Sequence, residues 1–202
     1  EWDIRTAAAE ALLEINSFPN EVEKNRIKAY ICVGQKKWDQ VVALDQAAIP
    51  ALEKALKDEK WDIRKAAAET LGEIGHPSTT PALELEVAVL KDNNKDVRIA
   101  ATEALGKIGV LAIPALAVAV LKDNNKDVRI AAARALGKIG VPAILPLEAA
   151  LKDEEWDIRT AAAEALLEIN SFNEVEKNRI RAYIYIGQKK WDQVVAFGQA
   201  AI

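Results

Sequence analysis

Apolar side chains recur along this chain at the spacing of one helix face. In residues 61–74 they fall at Ile63, Ala67, Leu71 and Ile74, and in residues 95–108 at Val97, Ala101, Leu105 and Ile108. This i, i+4, i+8, i+11 pattern gathers each set into one buried stripe and leaves charged residues on the remaining surface. Gly75, Gly109 and Gly140 close such helices, where a C-terminal stop needs a residue free of the Cβ penalty. Asn94 and Asn125 stand where an N-cap accepts the first free amides, and Asp62, Asp96, Asp127 and Asp157 follow in the first turn, favourable to the helix dipole. Each of these helices, termed B, follows a helix A that opens at or near a proline, as at Ile49-Pro50, Thr80-Pro81, Ile113-Pro114 and Val141-Pro142. A fixed φ and a missing N–H are tolerated in that first turn.

The pairs repeat. Residues 118–141 reproduce residues 87–110 at an offset of 31, with only Thr102 changed to Ala133 and Glu103 to Arg134. Looser copies occupy residues 56–75 and 151–170. A period near thirty signals a repeat architecture, since one hairpin cannot bury its stripe alone and must stack on its neighbours.

The phrase Asp-Ile/Val-Arg-x-Ala-Ala-x-x-Ala-Leu-Gly-x-Ile-Gly after a proline-led A helix resembles the HEAT-like repeat first recognised in phycobilisome lyases, and is similar to artificial helical repeat proteins built from that consensus. The likeness spans residues 46–170. It implies an all-α fold, a right-handed αα superhelix whose B helices line a concave binding surface. The expected organisation is a single repeat domain over residues 1–202: an unpaired B helix (1–16), a divergent hairpin (20–45), HEAT-like hairpins at 46–75, 79–109, 111–140 and 142–170, and a second divergent hairpin (173–202) duplicating 20–49.

That duplication is close. Setting Pro19 aside, residues 155–202 match residues 1–49 at 43 of 48 positions, so a period of 154 overlies the short one. The divergent hairpins read as helices at 20–33 and 36–44, and again at 173–186 and 189–197. The chain thus opens on a B helix with no A partner and stops at Ala201-Ile202, so both ends are expected to expose apolar faces that a polar cap would cover. A piece of a longer tandem array, head-to-tail self-association and a deliberately engineered chain each account for this.

Composition narrows the function. Half the residues are apolar and the net charge is −4, which suits a folded helical protein and lacks the basic excess of one that tracks phosphates; no nucleic-acid partner is expected. The longest apolar runs, such as Ala112 to Leu121, are too short to span a bilayer, so no membrane partner is expected either. Cys32 is the only cysteine, which excludes an internal disulfide and points to a reducing, cytoplasmic setting. It aligns with Tyr185 in the second copy, as a packing residue would.

Candidate chemistry is thin. His76 is the only histidine and sits in a linker with no positioned nucleophile. Gly72/Gly75 and Gly106/Gly109 have helix-terminal spacing and precede no phosphate-cradling loop. The expectation is a non-enzyme with no cofactor and no metal. Arg5, Arg64, Arg98, Arg129 and Arg159 occupy one position of every B helix, and the resemblance implies a structural link from each guanidinium to an aspartate or carbonyl in a neighbouring unit.

The informative residues are those that vary beside the fixed stripe, stepping by four along each B helix. They are Trp61, Lys65, Glu69 and Glu73; Lys95, Ile99, Glu103 and Lys107; Lys126, Ile130, Arg134 and Lys138; and Trp156, Thr160, Glu164 and Glu168. This row lies next to the buried one and is expected to face the groove, where aromatics and isoleucines among charges have the look of interface anchors. Alternatively, Trp2, Trp61 and Trp156 pack over the preceding A helix while Ile99 and Ile130 touch the next repeat. The first functional expectation is a scaffold or adaptor that binds a protein partner. A self-assembling array, through the uncapped ends, is a second. A bilin lyase-like modifying subunit is a third, implied by the resemblance alone.

Overall fold

A computed structural model describes residues 2–15, 18, 20–75, 85, 86, 88, 90–169, 171–187, 189, 190 and 195. Every regular element among them is helical. In chain order these are α1 (Trp2–Ile15), α2 (Glu21–Gly34), α3 (Trp38–Ala43), α4 (Ile49–Ala55), α5 (Trp61–Ile74), α6 (Lys95–Ile108), α7 (Ile113–Lys122), α8 (Lys126–Ile139), α9 (Ile144–Ala150), α10 (Trp156–Glu168) and α11 (Glu174–Gly187). Three short 3-10 turns, Asp45–Ala48, Val110–Ala112 and Val141–Ala143, lead into α4, α7 and α9. His76, the Thr80-Pro81 helix start, the helix at 189–197 and Ala201-Ile202 lie outside the described residues, apart from Lys189, Lys190 and Val195.

The B helices α5, α6, α8 and α10 pack side by side as one layer, while α4, α7 and α9 cover them from the other side, giving an α-solenoid. The stripes read from the sequence are buried. Ile63, Ala67 and Leu71, then Val97, Ala101 and Leu105, lie in one core with Leu116, Leu136, Leu147, Ile158 and Leu166. Fully burying a leucine side chain contributes about 1.5–3 kcal/mol, so this shared seam outweighs any surface pairing in the molecule.

Local chemistry sets the helix ends. Asn94 Oδ1 accepts from Asp96 N at 2.8 Å, and Asn125 Oδ1 from Asp127 N at 2.9 Å. Helix α11 opens on a reciprocal box, with Asn173 Oδ1 taking Glu176 N and Glu176 Oε2 taking Asn173 N. At the other end Gly75, Gly109 and Gly140 hold φ of 65°, 95° and 89°, a left-handed region that side chains resist. The proline reading needs one correction. Pro50 and Pro114 do stand in the first turns of α4 and α7, but Pro142 belongs to the 3-10 turn, and α9 opens at Ile144 with Pro146 in its first turn. The isoleucine that enters the core sets the register here, Ile144 corresponding to Ile113.

Small residues bring the B helices together. A Cβ added to Gly72 would lie 2.9 Å from Ala104 Cβ, one on Gly106 2.9 Å from Ala135 Cβ, and one on Gly137 2.7 Å from Ala165 Cβ. Each glycine is the twelfth residue of its helix and each alanine the tenth of the next. The pairing stops at the divergent hairpins. Helices α1 and α10 carry Leu13 and Leu167 in the glycine position and pack instead on α2 and α11.

Identical sequence meets two environments at the ends of the long period. Helix α10 is clasped by α8 and α9, and its Ile158 and Leu166 are 0% exposed. In α1, built from the same residues, Ile4 is 68% exposed and Leu12 48%. The residues are the same, and only their neighbours differ.

Gly106→Val drives a branched side chain into Ala135 and should lower stability by about 1–3 kcal/mol, as overpacking does. Adding Ala135→Gly should recover part of that loss. Urea unfolding of the two single variants and the double variant measures the coupling, and independent, additive effects would contradict the close contact.

Candidate interaction groove

Two ladders of charge join the repeats and fix where the B helices present their outer faces. The first runs through the arginines. Arg98 Nε and Nη2 hold both carboxylate oxygens of Asp123 at 2.8 and 3.0 Å, while Nη1 donates to Asp92 O and Nη2 also to Asn124 Oδ1. Arg64 grips Asp92 in the same way, at 2.7 and 2.9 Å, and Arg129 pairs with Asp153. Each aspartate also accepts from the backbone N–H two residues on, at Asn94, Asn125 and Glu155. One repeat's arginine therefore shapes the turn that starts the next repeat's B helix. These pairs are nearly buried, the Arg98 and Asp123 side chains being 10% and 8% exposed. Asp92 beside Arg64 holds its guanidinium above the ordinary arginine value. The structural reading of Arg64, Arg98 and Arg129 holds in this geometry. At the chain's first B helix the pattern changes: Arg5 lies over the Trp2 ring, 5.3 Å from its centre, and Trp2 Nε1 donates to Asp58 at 2.6 Å.

The second ladder lies at the surface. Lys36, Lys95 and Lys126 pair with Asp62, Asp127 and Asp157 of the following repeat at 3.0, 2.9 and 3.2 Å. Lys36 and Lys95, by hydrogen bond and charge, hold the Asp62 and Asp127 carboxyls below their ordinary values. A depressed folded value means these links stabilise above the ordinary carboxylate range and fade as pH falls through the lower folded one. Sequence reasoning placed Lys95 and Lys126 with the partner-facing row and missed this ladder. The signal was there, since a lysine opening one B helix recurs about one period before an aspartate in the next helix's first turn.

The remaining row faces outward. Ile99, Glu103, Ile130, Arg134, Lys138, Glu164 and Glu168 line a groove of about 490 Å³ across α6, α8 and α10, floored by alanines such as Ala131, Ala135, Ala161 and Ala165. Next to it, Glu69, Glu73, Glu103 and Lys107 line a smaller one of about 230 Å³ between α5 and α6. Trp61 and Trp156 open their helices 46% and 48% exposed, so neither is enclosed by a preceding A helix. Ile130 packs partly on the core. Lys65 pairs with Glu69 along its own helix at 3.6 Å. Thr160 departs from the expected row, because its hydroxyl is buried and makes no hydrogen bond.

Among the described residues no three His, Cys, Asp or Glu side chains gather as a metal-holding group, and no helix is long and apolar enough to cross a membrane. Cys32 is buried, burial pushes its thiol up, and its Sγ lies 3.6 Å from Gln40 Oε1. It packs as expected from its exchange for Tyr185.

The model for HEAT repeats matches residues 20–85, 84–168 and 113–184. Among solved structures, an engineered protein aligns with 20% identity over 90% of this chain and 98% of its own, at a TM-score of 0.50. A chain from the complex of CpcE and CpcF of phycocyanin lyase, from a Nostoc species, aligns with 21% identity over the same shares, at a TM-score of 0.38. No curated protein matches.

Asp123→Ala should cost about 3–5 kcal/mol, because it strands the buried Arg98 charge and removes an acceptor from the next helix start. Asp127→Asn should cost far less, and its small effect should begin to shrink as pH falls through the ordinary aspartate value of 3.8 and be lost below the lower value of the folded state. Thermal unfolding as a function of pH tests both, and equal losses for the two variants would refute the distinction between the ladders.

Proposed function

Because the chain belongs to the HEAT-repeat family, we propose that it is a scaffold that binds a protein partner through the groove on its B-helix face and carries out no reaction of its own. One observation carries this reading: of the two side chains that vary between otherwise matching repeats, the one that changes charge lines the groove. Of the two differences between residues 87–110 and 118–141, Thr102/Ala133 lies in the core and Glu103/Arg134 lies in the groove, where it reverses a charge. Neither Arg134 nor Lys138 has an ion pair or hydrogen bond among the described residues. An apolar floor with unpaired charges around it is what a polypeptide partner can use, since the floor favours burial and the charges set orientation. The two half-exposed tryptophans extend that surface toward the helix N-termini, and aromatic anchors of this kind dominate interface energetics.

A second reading rests on α1. Its Ile4 and Leu12 face is open, whereas the same residues in α10 are covered by α8 and α9. That contrast favours head-to-tail self-association, in which a second copy shields α1. A contact of this heterologous kind propagates unless its rotation closes a ring.

Replacing Lys65, Ile99, Arg134 and Trp156 together with alanine should abolish capture of a partner while circular dichroism keeps the helical signal; a partner retained by that folded variant would sink the groove reading. For the second reading, the mass seen by light scattering should climb with concentration and stay monomeric in an Ile4→Glu, Leu12→Glu variant. A constant mass for the parent chain rules self-association out.

A further inference from the structure

The groove's charges have an order that specifies a ligand, an inference that rests on the scaffold reading above. Crossing the groove from helix to helix, Glu103 on α6 is followed by Arg134 and Lys138 on α8, and then by Glu164 and Glu168 on α10. The signs run negative, positive, negative. Asp127 also lines the groove but is held by Lys95, and the other five have no ion pair or hydrogen bond among the described residues. Ile99 and Ile130 stand one turn before Glu103 and Arg134 on α6 and α8, the latter isoleucine packed partly on the core, and alanines floor the space between the helices.

Packed helices lie about 8–10 Å apart axis to axis. A segment laid across the three B helices therefore meets a change of sign about every 8–10 Å. An α-helix rises about 1.5 Å per residue, so about five to seven residues cover one step, and of these spacings seven, two turns, returns to the same face. We propose that this groove binds an amphipathic helix that carries a basic residue, an acidic residue seven positions on, and a second basic residue seven positions further, with apolar residues between them on the same face. The two basic residues meet Glu103 and the Glu164/Glu168 pair, the acidic residue meets Arg134 and Lys138, and the apolar residues between them cover the alanine floor beside Ile99 and Ile130. The pattern reads alike from either end, so it fixes register without fixing chain direction.

Other polyelectrolytes match the groove less well. A nucleic-acid backbone or a uniformly acidic helix satisfies α8 but sets like charges against Glu103, Glu164 and Glu168, and a uniformly basic helix does the reverse at Arg134. Like charges brought together on a partly desolvated surface act against binding and so select the patterned ligand.

Three fluorescent synthetic helices, titrated with the full chain by anisotropy at low ionic strength, test this. The first has the basic–acidic–basic heptad order, the second the same spacing with every sign reversed, and the third the same composition with the charged residues five apart. The first should bind about ten-fold more tightly than the others, the factor that a few partly shielded pairs supply together. Arg134→Glu with Lys138→Glu should weaken it by at least as much, and should transfer preference to a helix with three basic residues at the same spacing. Because these side chains are exposed, the variant keeps its fold, which circular dichroism verifies. Equal binding of the three helices, binding of none, or indifference to the charge reversal overturns the proposed register. The scaffold reading fails separately, if the alanine variant of Lys65, Ile99, Arg134 and Trp156 retains a captured partner.

Discussion

The solenoid depends on how closely one B helix can approach the next. Gly72, Gly106 and Gly137 each give up a side chain at the point where an alanine of the following helix arrives, and any Cβ there would meet that alanine at under 3 Å. With the helices this near, the turn that starts each B helix comes within reach of the preceding arginine. Arg64, Arg98 and Arg129 then lock Asp92, Asp123 and Asp153. Packing sets the spacing, and the buried ion pairs convert spacing into register. Such pairs add little net stability against an apolar replacement, but they penalise heavily any misalignment that would leave the arginine unpaired in the interior.

At the first divergent hairpin this constraint is relaxed, and the contacts change with it. Helix α3 has only six residues, and α5, the next B helix, carries Thr70 where later B helices carry alanine, its hydroxyl turned back to Ala66 O. With so short a helix between them, Trp2 of α1 reaches Asp58 directly, and Lys36 takes over the surface link to Asp62. The continuous seam survives because Val33 and Val41 still enter it. The joint is therefore a change in geometry within one core.

The same regularity produces the groove. Since every B helix is held at a fixed rotation by its stripe, the residues beside that stripe must project from one face, and three neighbouring helices align them into rows. Variation confined to those rows changes the charge of the surface without touching the seam, as the exchange between Glu103 and Arg134 does. Binding specificity can vary in this architecture independently of folding.

The sequence by itself determined the helices, their pairing, the repeat period and the buried stripes, because those arise from local periodicity and from small residues and caps at fixed offsets. It also singled out Ile99, Glu103, Arg134 and Glu164 as surface residues beside a buried row. It could not say that the Thr160 hydroxyl would be buried, or that Pro142 would fall in a 3-10 turn ahead of its helix. Those outcomes depend on distances between helices that are remote in sequence. It marked α1 as the B helix without an A partner, but how far Ile4 and Leu12 stay open while Ile158 and Leu166 are enclosed was decided by the tertiary structure, because the environment of a side chain belongs to its neighbours.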